Sequence, residues 1–194
     1  MSEIAFESTT TLTQAAFRAF VEERSRHDDY RYELLNGRIV MNPPAGYPHG
    51  AIGLRVSALL LRLVDERGLG LAFDSSQGYD LPSGDTGEPD ASFVSSERWT
   101  AAPPPAEGEF LRVAPDLAVE IPSTSTRSRD RGEKKAIYER NGVREYWLVD
   151  WRSRELTVFQ PADGRYDLGH VFGAGERASS MVLGAEVAVG DLFG

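Results

Sequence analysis

The sequence predicts an α/β fold built on a mixed sheet, from three observations. Apolar stripes of helical period alternate with short β-type runs, no segment repeats itself, and the stretch from Asp116 to Ile121 is dense enough in Leu, Val and Ile to lie inside a sheet. The 194 residues suffice for one domain with a proper core and are few for two. A hydrophobic share of 41% beside 26% charged residues is ordinary for a chain that folds and stays in solution. We expect a single domain over 1–194, with an N-terminal helical segment (1–28), a core (30–160) and C-terminal strands (161–194).

The elements follow in order. Thr11 to about Arg26 carries Leu12, Ala15, Ala16, Phe17, Phe20 and Val21 at helical spacing behind a threonine-rich cap, which predicts the first helix. Tyr30 to Asn42 reads as two strands around Asn36-Gly37, the dipeptide that best tolerates the positive φ angles of a tight hairpin turn. After Pro43-Pro44-Ala45-Gly46, the run from His49 to Arg67 places Ile52, Val56, Leu59, Leu60 and Leu63 on one stripe, and Gly68 stops it. Leu69–Phe73, Gln77–Leu81 and Asp90–Val94 read as strands between turn-rich segments, and Thr100–Gly108, with three consecutive prolines, reads as a mobile surface loop. A strand from Asp116 to Ile121, a helix from about Ser128 to Asn141 ended by Gly142, and a strand from Glu145 to Trp151 come next. Glu155–Gln160 and shorter runs to the C-terminus predict antiparallel strands.

Composition removes several functions. There is no cysteine, so disulfide scaffolds, thiolate metal sites and cysteine nucleophiles are excluded, and any metal must sit on oxygen or imidazole. The longest apolar run, Ala58 to Leu61, is broken by Arg62, and polar Ser2, Glu3 and Glu7 stand where a signal segment would be basic and then apolar. We expect no membrane span and a cytoplasmic location. Walker-type and dinucleotide-type glycine loops are missing, so no nucleotide cofactor is expected. The formal net charge of −9 is not the footprint of a nucleic-acid binder. One basic cluster, Arg127, Arg129, Arg131, Lys134, Lys135 and Arg140, is either a local positive rim or a solvated loop and outer helix face.

The chemistry is expected around 115–138. On a strand, residues two apart share a face, so Asp116, Ala118 and Glu120 point one way and Leu117, Val119 and Ile121 the other. Asp130, Lys134 and Tyr138, four apart, line one side of the following helix. Pro89-Asp90 and Pro115-Asp116 each open an apolar strand, where proline forfeits no interior ladder bond. If the strands of Asp90 and Glu120 are neighbours, two carboxylates about 4 Å apart repel by roughly 4 kcal/mol at an effective dielectric of 20. A hard divalent cation compensates such a pair, keeps several waters and acidifies one into a nucleophile, with Lys134 orienting that water. The competing reading for the acids is ion pairing with Arg112, Arg127 or Arg129, or strand-end capping. His49 reads either as a ligand or base, or as a capping or hydrogen-bonded structural residue. Tyr138 reads as a half-buried core residue with a satisfied hydroxyl in preference to a phosphate contact, and Tyr146-Trp147 as core.

Together these residues resemble the Uma-type restriction endonuclease family, a branch of the PD-(D/E)xK nuclease superfamily. The resemblance spans nearly the whole chain. It rests on Tyr32-Glu33-Leu34-Leu35-Asn36-Gly37-Arg38-Ile39-Val40, His49 opening a helix, Glu88-Pro89-Asp90, Pro115-Asp116-Leu117-Ala118-Val119-Glu120-Ile121, Ser123, Ser125, Asp130, Lys134, Tyr138 and Gly142-Val143-Arg144-Glu145-Tyr146-Trp147-Leu148-Val149-Asp150.

The resemblance implies a restriction-endonuclease-like core, a central mixed sheet flanked by helices that carries a metal site. Asp90 matches the superfamily's first acid and Glu120 its second. The superfamily places its lysine two residues after that acid, where this chain has Pro122, so the amine is expected from Lys134 on the helix. Glu33 and His49 match further polar positions near the site. The family's Ser-Pro-Ser is replaced here by Pro122-Ser123-Thr124-Ser125, from which a differently bent strand end is expected. The function implied is a Mg²⁺- or Mn²⁺-dependent endonuclease that hydrolyses DNA. Asp90 and Glu120 would hold the ion, Lys134 would position the water, and Glu33, His49, Asp116, Ser123, Ser125, Asp130 and Tyr138 would surround them. By analogy the active form is a homodimer whose two sites address two strands. The alternative is a catalytically silent or regulatory nucleic-acid- or protein-binding module on the same fold.

Overall fold

The computed structural model describes residues 7–24, 26–28 and 30–194, so readings that fall on residues 1–6 (Ser2 and Glu3 among them), Ser25 and Asp29 lie outside the described residues. Helix α1 (Gln14–Arg24) buries Phe17 against Tyr32, Leu34 and Ile39 of the hairpin that follows. That hairpin joins β1 (Arg31–Leu35) to β2 (Arg38–Asn42), and its turn residues Asn36 and Gly37 have φ of 51° and 77°, the pair of positive values a type I′ turn requires. Helix α2 (His49–Arg67) has the limits its stripe predicts. Gly68 ends it in the left-handed region at φ 61°, where its N–H caps back onto the last turn.

The central sheet has six strands in the order β12-β9-β8-β7-β6-β3. Its edge strand β3 (Gly70–Asp74) runs antiparallel to β6, while β4 (Tyr79–Asp80) and β5 (Thr86–Gly87) join β1 and β2 in a second sheet. The expected strand 77–81 thus shrinks to two residues. β6 (Ala91–Ser95) leads into α3 (Ser96–Ala101), a helix that the sequence reading leaves unassigned and whose last two residues fall in the expected loop from Thr100. The Ser95 side chain caps it by accepting from the backbone N–H of Arg98.

β7 (Leu117–Glu120) is antiparallel to β6 but parallel to β8 (Glu145–Asp150), so the chain must cross over between them. It does so through α4 (Arg127–Arg129), a π-helical turn (Asp130–Lys134) and α5 (Lys135–Arg140). β9 (Glu155–Phe159) completes a hairpin with β8. The hairpin of β10 (Pro161–Ala162) and β11 (Arg165–Tyr166), the antiparallel edge strand β12 (His170–Gly173) and the hairpin of β13 (Arg177–Ser180) and β14 (Ala185–Ala188) follow. These are the antiparallel C-terminal strands that the sequence predicts.

Alternation along β7 sorts the core into two layers. Leu117, Val119 and Ile121 pack under α2 with Ile52, Val56, Leu60 and Leu63, whereas Ala118 faces Ile137 and Tyr138 of α5. Each Leu, Ile or Val so buried contributes about 1.5–3 kcal/mol, which holds the sheet between the two helices. Tyr146 and Trp147 are fully buried on opposite faces of β8, as core residues. Among the described residues no helix is long and apolar enough to cross a membrane.

Candidate active site

β6 begins just after Asp90 and β7 ends at Glu120, and the register Ala91↔Val119 sets these two acids opposite one another, one step beyond the last paired residues. Facing residues on neighbouring strands share a face. Two bonds hold the junction: Asp90 N–H donates to the Val119 carbonyl at 2.9 Å, and Ile121 N–H donates to Asp90 Oδ2 at 2.8 Å. Pro122 therefore leaves the strand end intact, since the last donor the acid needs is that of Ile121.

The crossover helix brings the cation. Lys134 Nζ lies 2.5 Å from Glu120 Oε1 and 2.9 Å from Glu33 Oε1, with all three side chains almost completely buried. Glu33, on β1, is itself held by the Glu88 N–H at 3.0 Å and by Asn42 Nδ2 at 2.9 Å. The Tyr138 hydroxyl donates to Glu120 Oε1 at 3.0 Å from one helical turn beyond Lys134. The hydroxyl is satisfied, as the helical spacing predicts, but Tyr138 is fully buried and not half-buried. His49 Nε2 donates to Asp90 Oδ2 at 3.1 Å and makes no cap, and Arg31 Nη2 donates to Oδ1 at 3.3 Å.

Charge is crowded here. Burial raises the Asp90 pKa, but the hydrogen bond and charge of His49 and the charges of Arg31 and Lys134 outweigh it and bring it down to about 2. Burial likewise works against Glu33, yet Lys134, the Glu88 N–H and Arg31 hold it below the usual carboxylate range. Glu120 goes the other way: burial, with Asp90, Asp130 and Glu33 around it, pushes it well up in spite of Lys134. Burial raises Glu88 to about 7, with Glu33 adding to it, and Asp130 to about 6 against the pull of Lys134 and Thr126. Lys134 is held firmly protonated, because Glu120, Glu33 and Asp130 overcome the cost of burying it. The cluster thus holds more acid than its own cations neutralise.

Asp90, Glu120, Lys134, Glu33, His49, Asp130, Ser123 and Ser125 all line one cleft of about 660 Å³ between α2, the hairpin and the crossover helix. Ser123 is committed to the backbone. Its N–H donates to Thr126 Oγ1 and its Oγ accepts from the Thr126 N–H, a reciprocal cap at the helix entrance, while Ser125 is exposed.

Asp116 is the expected site residue that the fold takes elsewhere. It shares a face with Glu120 but lies at the other end of β7, fully buried, where it accepts Ser95 N–H at 2.7 Å and pairs with Arg98 at 3.2 Å and Arg144 at 3.3 Å. Ion pairing is its role, with arginines other than the three anticipated. The basic cluster disperses as well: Arg127 and Arg131 serve Asp150, Arg140 serves Asp85, and Lys135 sits over the Phe159 ring. Only Lys134 and Arg129 of that run line the cleft. Arg129 Nη1 is shut off from solvent without a hydrogen-bond partner, a condition that costs about 1–3 kcal/mol for a neutral group and more for a charged one.

Sequence reading missed Arg31 and Asn42, and named Glu88 only within the Glu88-Pro89-Asp90 motif without a role at the site. Their one signal was position, since Arg31 and Asn42 flank the hairpin strands of Glu33, and Glu88 precedes the Pro89-Asp90 pair. Among the described residues no three His, Asp or Glu side chains form a ready metal cage. The donor chemistry nevertheless fits Mg²⁺ or Mn²⁺. Asp90 and Glu120 offer hard oxygens in a cluster with more carboxyl groups than cations, and Mg²⁺ is usually bound by one or two carboxylates, with water and substrate phosphate filling the rest.

A family model described as "putative restriction endonuclease", Uma2, matches residues 17–190. The chain belongs to the Uma2 family. Comparison with curated proteins gives no match. The Uma2 chain is similar in fold to the crystal structure of a "putative nuclease belonging to DUF820" from Anabaena variabilis ATCC 29413, at a TM-score of 0.70 and 19% identity over 89% of this chain and 96% of that one. The six-stranded mixed sheet with its helices is thus the nuclease-like fold that the sequence motifs imply. In the Uma2 chain the Lys134 ammonium, carried by the crossover helix, lies beside Glu120.

Proposed function

We propose that this Uma2 protein is a divalent-cation-dependent endonuclease that hydrolyses DNA phosphodiester bonds. The observation that carries the reading is the convergence of Asp90, Glu120 and Lys134 on one cleft, with the ammonium 2.5 Å from the second acid. Asp90 and Glu120 would hold Mg²⁺ or Mn²⁺, which when bound polarises a phosphoryl oxygen and acidifies a water. The remaining work belongs to the protein. Lys134 has three N–H donors and spends two on Glu33 and Glu120, leaving one for the attacking water or for a non-bridging oxygen as negative charge develops on the phosphorane. His49 and Arg31 orient Asp90, Tyr138 orients Glu120, and Glu33 keeps Lys134 in place; these are positioning residues. Pairing the exposed apolar edge of β12, at Val171, across a homodimer would let two sites address two strands. The protein would act in the cytoplasm.

Plasmid cleavage with Mn²⁺ tests the proposal: wild type nicks or linearises the DNA and Glu120→Gln does not. Equal behaviour of the two refutes catalysis at this cleft. A competing reading is a catalytically silent nucleic-acid- or protein-binding module on the same fold. What favours it is that Asp90 and Glu120 already have cationic partners and that the chain carries a net charge of −9. Calorimetry separates them, because Mn²⁺ binding that Asp90→Ala abolishes supports the enzyme, while partner binding indifferent to metal supports the module.

A further inference from the structure

The cleft contains an acid-rich floor and one arginine with nothing to hold. Among the described residues the Arg129 side chain has no hydrogen-bond or ion-pair partner, and its Nη1 is sealed from solvent. Arg31 and Lys134, the other permanently charged cations of the cleft wall, are both engaged by carboxylates. Asp130 adjoins Arg129 in sequence and lines the same cleft, yet the two do not pair. A guanidinium left unpaired amid such acids is free to hold an anion, and its planar fork matches two oxygens of a phosphate. Its place on the crossover that carries Lys134 sets it apart from Asp90 and Glu120 at the strand ends.

We propose that Arg129 is a phosphate-binding residue of this cleft, gripping the non-bridging oxygens of a phosphate group beside the one that Lys134 would address. The identity of the ligand as a DNA phosphodiester rests on the nuclease reading; the anion site does not. It offsets the repulsion that the acid cluster presents to a polyanion, and so accounts for how a chain of net charge −9 admits one.

The test needs no turnover. With EDTA present, binding of a short labelled DNA duplex is measured by fluorescence anisotropy over a salt series for wild type, Arg129→Gln and Arg129→Lys. We expect about tenfold weaker binding for Arg129→Gln, a slope of log affinity against log salt smaller by about 1, and partial rescue by Arg129→Lys. Inorganic phosphate, tried in parallel, should raise the melting temperature of wild type more than that of Arg129→Gln. If only the free ion shows this dependence, the site takes small phosphates and not the polymer. Because the Arg129 side chain has no polar partner, Arg129→Gln should melt no lower than wild type, whereas a structural role would lower it. Equal affinity and slope, a marked loss of stability, or a wild type that binds neither probe overturns the proposal. A wild type that binds DNA through Arg129 but never cuts it refutes the nuclease reading and leaves the phosphate site standing.

Discussion

Glu33 and Lys134 meet at 2.9 Å although one belongs to the N-terminal hairpin and the other to the crossover helix. That contact ties the small sheet to the main one at the cleft, and it leaves the ammonium between two carboxylates.

Removing Glu33 should loosen this arrangement. Breaking a buried ion pair by deleting one partner costs about 3–5 kcal/mol, and Lys134 retains Glu120, so Glu33→Ala should lose about 3 kcal/mol. Urea unfolding would measure it, and DNA cleavage should fall along with it. A loss under about 1 kcal/mol would mean that the pair contributes little.

Lys134→Met should separate metal binding from catalysis. If Glu120 holds the proposed ion, the ammonium would compete with it, so this variant should bind Mn²⁺ in calorimetry at least as tightly as wild type while cleavage is abolished. Loss of Mn²⁺ binding would show that Lys134 is needed to assemble the acids.

Asp130 makes stability depend on pH. Its folded pKa, about 6, lies above the ordinary 3.8, so the unfolded chain releases this proton more readily and ionisation works against folding. The penalty is absent below about pH 4, grows between 4 and 6, and is complete above 6, where it amounts to about 3 kcal/mol. In chelator, Asp130→Asn should be more stable than wild type above pH 6 and lose that advantage near pH 4, as thermal melts across that range would show. A constant difference would refute the assignment.

Asp116→Ala should unfold easily and leave the cleft chemistry alone. Its carboxylate is fully buried between Arg98 and Arg144, so about 3–5 kcal/mol of stability is at stake. At a temperature where the variant remains folded, its Mn²⁺ affinity should equal that of wild type. A weakened Mn²⁺ affinity in the folded variant would return Asp116 to the site.

Local order was legible in the residues themselves. The stripe of Ile52, Val56, Leu59, Leu60 and Leu63 with Gly68 behind it delimits α2, Asn36-Gly37 specifies the hairpin, and the period of two along β7 sorts its side chains by face. Periods of 3.6 and 2 report the direction in which a side chain leaves its own element, and they determined which residues could face a common site. The partners they meet there came from the tertiary structure. The Ala91↔Val119 register brings Asp90 to Glu120, the π turn buries Asp130 and Lys134, and the packing of β1 delivers Arg31 and Glu33. Asp116, identical to Glu120 in face and charge type, went to Arg98 and Arg144 because it stands at the far end of the strand. Pairing between distant segments depends on sheet register and crossover geometry, which no local repeat encodes.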